Sequence, residues 1–187
     1  MIFHVHTVET APAGSKETLD AIKDRYGFIP NLAGVFAESP AAFKALLAAL
    51  KAYDDEALTL TPIERQAVLL AVSVYNRCYY CTAAHSMLIH SLGVSKNDVE
   101  ALQQDRPLSD ARLEVLRRFT TVLVENRGLL DDAALDQFLA AGFTKAQVLE
   151  VILGISIKTL TNYANHVARP AVNQQFKAFL PQWTVAA

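Results

Sequence analysis

Apolar residues recur at helical spacing through almost the whole chain. Between Ser15 and Tyr26, Leu19, Ile22 and Tyr26 share one face and Gly27 offers a stop. From Pro40 to Tyr53 the face is Phe43, Leu46, Leu47 and Leu50; from Ser109 to Asn126 it is Leu113, Leu116, Phe119, Val122 and Leu123, with Gly128 beyond. Asp131 or Asp132 is placed to cap a short helix that runs to Ala141 before Gly142 breaks it. No alternating apolar and polar run is long enough to compete as a strand, so the predicted fold class is all-α.

Two segments begin alike. Thr61-Pro62-Ile63-Glu64 reads as a capping box with proline at the first helical position, opening an apolar helix that ends near Tyr75. Thr144-Lys145-Ala146-Gln147 is the same device, opening a helix through Val148, Val151, Ile152, Ile155 and Ile157. Each is expected to lead into a further helix bearing a histidine, His85 in the first copy and His166 in the second, 24 residues (61 to 85) and 22 residues (144 to 166) after the threonine. This predicts a single domain, 1–187, built from two similar helical halves of about 30–95 and about 109–179. Asn162 and Thr159 then stand where the first half has Cys81 and Cys78, and the second half is expected to build walls rather than carry chemistry.

The chemistry concentrates at Asn76-Arg77-Cys78-Tyr79-Tyr80-Cys81-Thr82-Ala83-Ala84-His85, which holds both cysteines of the chain. If Cys78 opens a helix, positions 78, 81 and 85 fall on one face. A helix start stabilises an anion and Arg77 adds positive charge, so a thiol there ionises below its usual pKa of about 8.5. Neutral His85 could take the proton from Cys81 directly or through one water, and His85 once protonated would hold the thiolate. The spacing has three readings: a redox dithiol, a metal knuckle, or an inert buried pair. Zinc would need further ligands such as His90 or His166, and no second Cys-x-x-Cys exists, so neither a metal nor another cofactor is expected. Haem attachment would need a histidine where Thr82 stands.

Composition narrows the function classes. The chain is 52% hydrophobic and 19% charged, against typical fractions of about 45–50% and about 25%, so interfaces of a homo-oligomer are expected to cover the surplus. A net charge of -2 with no basic run removes the electrostatic footprint of nucleic-acid binding. No apolar stretch approaches the roughly 18 residues of a membrane span, and Met1 to Glu9 lacks the pattern of a signal peptide, so a cytoplasmic location is expected. In a reducing compartment a lone cysteine pair is more readily catalytic than structural. Glycine-rich phosphate loops and serine nucleophile elbows are missing.

From Leu60-Thr61-Pro62-Ile63-Glu64-Arg65 through Cys78-Tyr79-Tyr80-Cys81-Thr82-Ala83-Ala84-His85-Ser86, and again at Asn162-Tyr163-Ala164-Asn165-His166, the chain resembles the AhpD-like alkylhydroperoxidase branch of the carboxymuconolactone decarboxylase superfamily. Roughly residues 30 to 175 carry the resemblance. It implies an all-α fold, assembly as trimers or hexamers, and thiol-dependent peroxidase or disulfide-exchange activity, with a hydroperoxide as substrate and a dithiol protein or small thiol as reductant. It places the attacking thiol at Cys81, the resolving thiol at Cys78 and a proton-relay imidazole at His85. The family's relay glutamate falls at Gln66, which can hydrogen-bond but not take a proton at neutral pH, and Tyr80 stands where the best-known members have histidine. Glu64, the capping-box partner, and His166 are the further candidates for relay or pocket, with Glu150 and Asn162 able to complete the pocket if the halves pack face to face. A lactone lyase, as the superfamily's name suggests, and a non-catalytic redox-sensing oligomer are the alternatives.

Overall fold

The computed structural model describes residues 3–183, so the two ends of the expected domain lie outside the described residues. The helices run α1 Ala13–Tyr26, α2 Asn31–Phe36, α3 Pro40–Tyr53, α4 Pro62–Tyr75, α5 Tyr79–Ser91, α6 Lys96–Gln103, α7 Ala111–Glu125, α8 Asp132–Ala140 and α9 Lys145–Ala168, followed by a 310 turn at Gln174–Phe179. Among the described residues there is no strand, as the periodicity predicts, and no single helix is long and apolar enough to cross a membrane. Most of the predicted faces pack, with Leu19, Phe43, Leu46, Leu116, Phe119 and Leu123 buried, but Tyr26 at the end of α1 and Leu50 near the end of α3 are exposed.

Helix α4 is the axis of the molecule. Every residue from Ala67 to Ser73 is buried, which a helix achieves only when neighbours surround it, and α5, α6, α7 and α9 pack around it. On one side Phe138 is stacked between Phe119 and Phe143, with ring centroids 3.8 and 4.2 Å away, closing a core between α7, α8 and α9. On the other, Phe43, Leu46, Leu69 and Ile157 join Cys78, Cys81 and Phe176 in the core that carries the cysteine pair.

Both predicted capping boxes form, with Thr61 and Thr144 each accepting from the third helical amide while Glu64 and Gln147 reach back. Glu64 has a second tie: it accepts a 2.6 Å hydrogen bond from Arg112 Nε, and that guanidinium lies 3.8 Å over the Phe143 ring. Helix α9 is tied to the loop before α4, where Glu150 accepts from the amides of Thr59 and Leu60 and Gln147 Nε2 donates to the Thr59 carbonyl.

The two helices that open with these boxes diverge after their first turns. In the first, α4 stops at Tyr75, Arg77 takes a left-handed φ of 55°, and the amides of Cys78 and Arg77 bond back to the Ser73 and Val74 carbonyls, closing a Schellman turn that restarts the chain as α5. In the second, nothing between Ile157 and Ala168 stops the helix, so α9 runs unbroken for 24 residues until Arg169 turns left-handed before Pro170. The expected separate helix bearing His166 is therefore the last turns of α9.

Helix α9 comes close to α3 and α4 at Gly154. A Cβ there would sit 2.6 Å from Tyr53 Oη and 2.8 Å from Val68 Cγ1, and Tyr53 is buried with its hydroxyl unpartnered. Gly154→Ala is therefore expected to destabilise by about 1–3 kcal/mol, read as a drop in thermal midpoint of several degrees. Tyr53→Phe, which removes both the obstructing oxygen and an unsatisfied buried hydroxyl, should be neutral or stabilising alone and recover part of that loss; an unchanged midpoint in Gly154→Ala would show that the approach is looser than described.

Candidate active site

Cys78 is the N-cap residue of α5, the position that Ser, Thr, Asp or Asn usually fills, and it makes no side-chain capping bond. Cys81 is at the third helical position and His85 one turn further on, so the three side chains share one face, as their spacing requires. Both cysteines are free and buried, at 0% and 2% exposure. A cavity of about 270 Å³ lined by Tyr75, Arg77, Gln103 and Trp183 opens beside the α4–α5 turn, but neither sulfur lines it.

The sulfurs sit in an apolar core into which α9 brings two polar groups, Lys158 and Asn162, beside Cys81. Lys158 is 3% exposed, and its Nζ lies 2.9 Å from His85 Nε2. His85 Nδ1 lies 2.9 Å from Gln66 Oε1. The amide oxygen can only accept, so Nδ1 carries the ring proton and Nε2 accepts from the ammonium. Asn162 Oδ1 accepts from Asn76 Nδ2 at 3.0 Å, which orients its own Nδ2 as a buried donor without a nitrogen or oxygen partner, beside Cys81.

This arrangement splits the two thiols. Burial opposes ionisation of Cys81, but the Cys78 hydrogen bond, the Lys158 charge and the donors of Asn162 and Lys158 outweigh it and bring the thiol down to about 6. Cys78 is pushed up, first because its S–H is held by the Cys81 sulfur, then by burial and by the negative charge next to it. The two thiols are thus pushed in opposite directions, Cys81 towards the thiolate and Cys78 towards the protonated form. Burial and the adjacent Lys158 charge hold His85 well below the ordinary histidine range, so it is neutral. The cation expected at protonated His85 is supplied by Lys158, and the lone pair expected to face Cys81 is taken by that ammonium.

The remaining candidates fall elsewhere. Glu64 is spent on the capping box and Arg112. The Tyr80 hydroxyl donates to Asn173 Oδ1 at 2.7 Å and accepts from the Leu32 amide, tying α5 to the C-terminal segment, and burial raises its pKa. His166 is exposed at the end of α9, and Glu150 serves the loop before α4. Among the described residues no three His, Cys, Asp or Glu side chains cluster as metal ligands. Lys158 is the residue that sequence reasoning missed. Its signal was present: Val151, Gly154, Lys158, Thr161, Asn162 and Asn165 form one helical stripe, and all are buried, which placed a lone lysine on the inward face of an apolar helix.

Residues 37–121 match the carboxymuconolactone decarboxylase family. No curated protein matches the sequence. Among solved structures, an uncharacterized peroxidase-related protein with an alkylhydroperoxidase AhpD core from Ralstonia eutropha JMP134 superposes with a TM-score of 0.83 at 19% identity, covering 93% of each chain. An uncharacterized peroxidase-related protein from Silicibacter sp. TM1040 gives 0.81 at 19% identity, over 94% of this chain and 92% of that one. The debrominase Bmp8, solved with 2,3,4-tribromopyrrole, gives 0.77 at 18% identity, over 96% and 95%. The family match lies over α3 to α7, which include the cysteine pair, and the backbone likeness extends through α9, so the chain is similar to the carboxymuconolactone decarboxylase family over that stretch and has the AhpD-like all-α fold.

Proposed function

We propose that the protein is a thiol-dependent peroxidase and disulfide oxidoreductase in which Cys81 attacks and Cys78 resolves. The observation that carries this reading is the unequal state of the two sulfurs within one helical turn: a nucleophile must be a thiolate, and a resolving thiol must still hold a proton until its turn comes. Cys81 thiolate takes the terminal oxygen of a hydroperoxide and becomes a sulfenic acid. Cys78 condenses with it, water leaves, and a disulfide closes across the start of α5. A dithiol protein or small thiol then restores the pair by exchange. His85 and Gln66 hold the site rather than carry its charge.

The reading includes a homo-oligomer. Leu149, Ile152, Leu160, Tyr163 and Val167 form an exposed apolar row along α9, the face opposite Lys158 and Asn162, which supports a second copy packing there. A trimer or hexamer working in a reducing cytoplasm is the assembly that goes with this role.

Cys81→Ser is expected to abolish hydroperoxide consumption coupled to a dithiol, whereas Cys78→Ser should still be oxidised once and stop at a sulfenic acid that dimedone traps; turnover by Cys81→Ser at the wild-type rate overturns the assignment. Because the Cys81 thiol is lowered, its thiolate is present above about pH 6 and is lost as pH falls through that value. The rate of Cys81 alkylation by iodoacetamide should accordingly be flat from pH 7 to 8 and decline below about 6, and a rate that rises only above pH 8 would show an ordinary thiol. In light scattering after size exclusion, the wild type should run as an oligomer and Leu149→Glu with Val167→Glu as a smaller species; a monomeric wild type removes the assembly from the reading.

A further inference from the structure

Lys158 is a buried ammonium whose described neighbours include no carboxylate: none of the ion pairs among the described residues contains it. The groups that face it are Cys81 and Cys78 on α5, neutral His85 on α5, and Gln66 behind His85 on α4. Its charge is thus matched by the Cys81 thiolate alone. Attack on a hydroperoxide destroys that thiolate, since the product is a neutral sulfenic acid, and at the same instant an alkoxide is expelled. A cation left in a dry site with no counter-charge is strongly disfavoured, and an alkoxide cannot depart into the same site without a proton. Both problems have one solution.

We infer that Lys158 is a catalytic residue, the general acid that protonates the departing oxygen of the hydroperoxide. This rests on Cys81 being the attacking thiolate. In the step, the Cys81 sulfur forms a bond to the terminal oxygen, the O–O bond breaks, and the electron pair goes to the alkoxide oxygen. Sulfur is oxidised and the peroxide reduced. The Lys158 ammonium gives its proton to the alkoxide, so that thiolate, ammonium and hydroperoxide become sulfenic acid, neutral amine and alcohol. The amine, hydrogen-bonding with His85 Nε2, stays neutral while Cys78 S–H condenses with the sulfenic acid to release water. When a dithiol reduces the disulfide, the Cys81 thiol returns its proton to the Lys158 amine, and the ion pair is restored. The buried site carries no net charge at any stage. The chain of hydrogen bonds from Lys158 through His85 to Gln66 fixes the lysine in the site, where its charge acts on Cys81, with no carboxylate in that chain.

The test separates an acid from a charge that merely steadies the thiolate. Loss of the Cys81 thiol is followed at pH 7, in a single turnover and by mass spectrometry, with two oxidants: tert-butyl hydroperoxide, whose leaving group is a strongly basic alkoxide, and peracetic acid, whose leaving group is acetate and needs no proton. At one pH both rates carry the same thiolate fraction, so their ratio isolates the leaving-group step. In Lys158→Met the ratio of the alkyl hydroperoxide rate to the peracid rate should fall by about 100-fold or more relative to wild type. Lys158→Arg, which keeps the charge with a far weaker acid, should retain thiolate reactivity towards iodoacetamide within a few-fold yet still lose much of the ratio. An unchanged ratio in Lys158→Met, whatever happens to both rates together, overturns the acid and leaves Lys158 as a steadying charge. A wild type whose Cys81 reacts with neither oxidant faster than free cysteine overturns the peroxidase reading itself, and this inference with it.

Discussion

The structure turns on one electrostatic constraint: the Lys158 side chain is buried in the core beside Cys81, and its charge favours ionisation of that thiol. Burying either ion alone would cost several kcal/mol, and an opposite charge alongside it offsets part of that cost. The pair is therefore viable only as a pair, and only with the further donors that Asn162 and the Cys78 thiol provide. That requirement explains why polar residues line the inner stripe of α9, where an ordinary core helix would continue with leucine and valine. It also explains the tautomer of His85, which accepts from the ammonium on one side and donates to Gln66 on the other.

Backbone geometry delivers the other half of the site. The Schellman turn at Asn76–Cys78 ends α4 and begins α5 within three residues, so the cysteines arrive at a helix start, with the Cys81 amide favouring the charged form of Cys78. The unbroken α9 crosses behind them and comes so near α3 and α4 that only glycine fits at position 154. Two helices starting from the same kind of cap thus do opposite things: one breaks to present sulfur, the other stays straight to carry its partner cation past it.

Tertiary ties hold this crossing in place. Glu150 and Gln147, in the first turns of α9, bind the loop before α4, while Glu64 at the start of α4 binds Arg112 of α7. Carboxylates that could have been mistaken for relay groups are the fasteners between these elements. Their position at helix starts is what makes them suitable, because free amides and the positive end of the dipole gather there.

The all-α class, the face of α7, both capping boxes and the shared face of Cys78, Cys81 and His85 were legible in the chain alone, because each depends on residues within one or two turns of each other, whereas the exposure of Tyr26 and Leu50 was not. The sequence could not show that α9 runs through, since the left-handed Arg77 that breaks α4 has no glycine to announce it and α9 has no such break. Nor could it assign the cation. His85 and Lys158 are 73 positions apart, and whether an imidazole is protonated depends on burial and on what charge is brought alongside, both properties of helix packing. Helix packing alone carries Lys158 of α9 to Cys81 of α5, and the burial and charge it brings there bear on which group ionises.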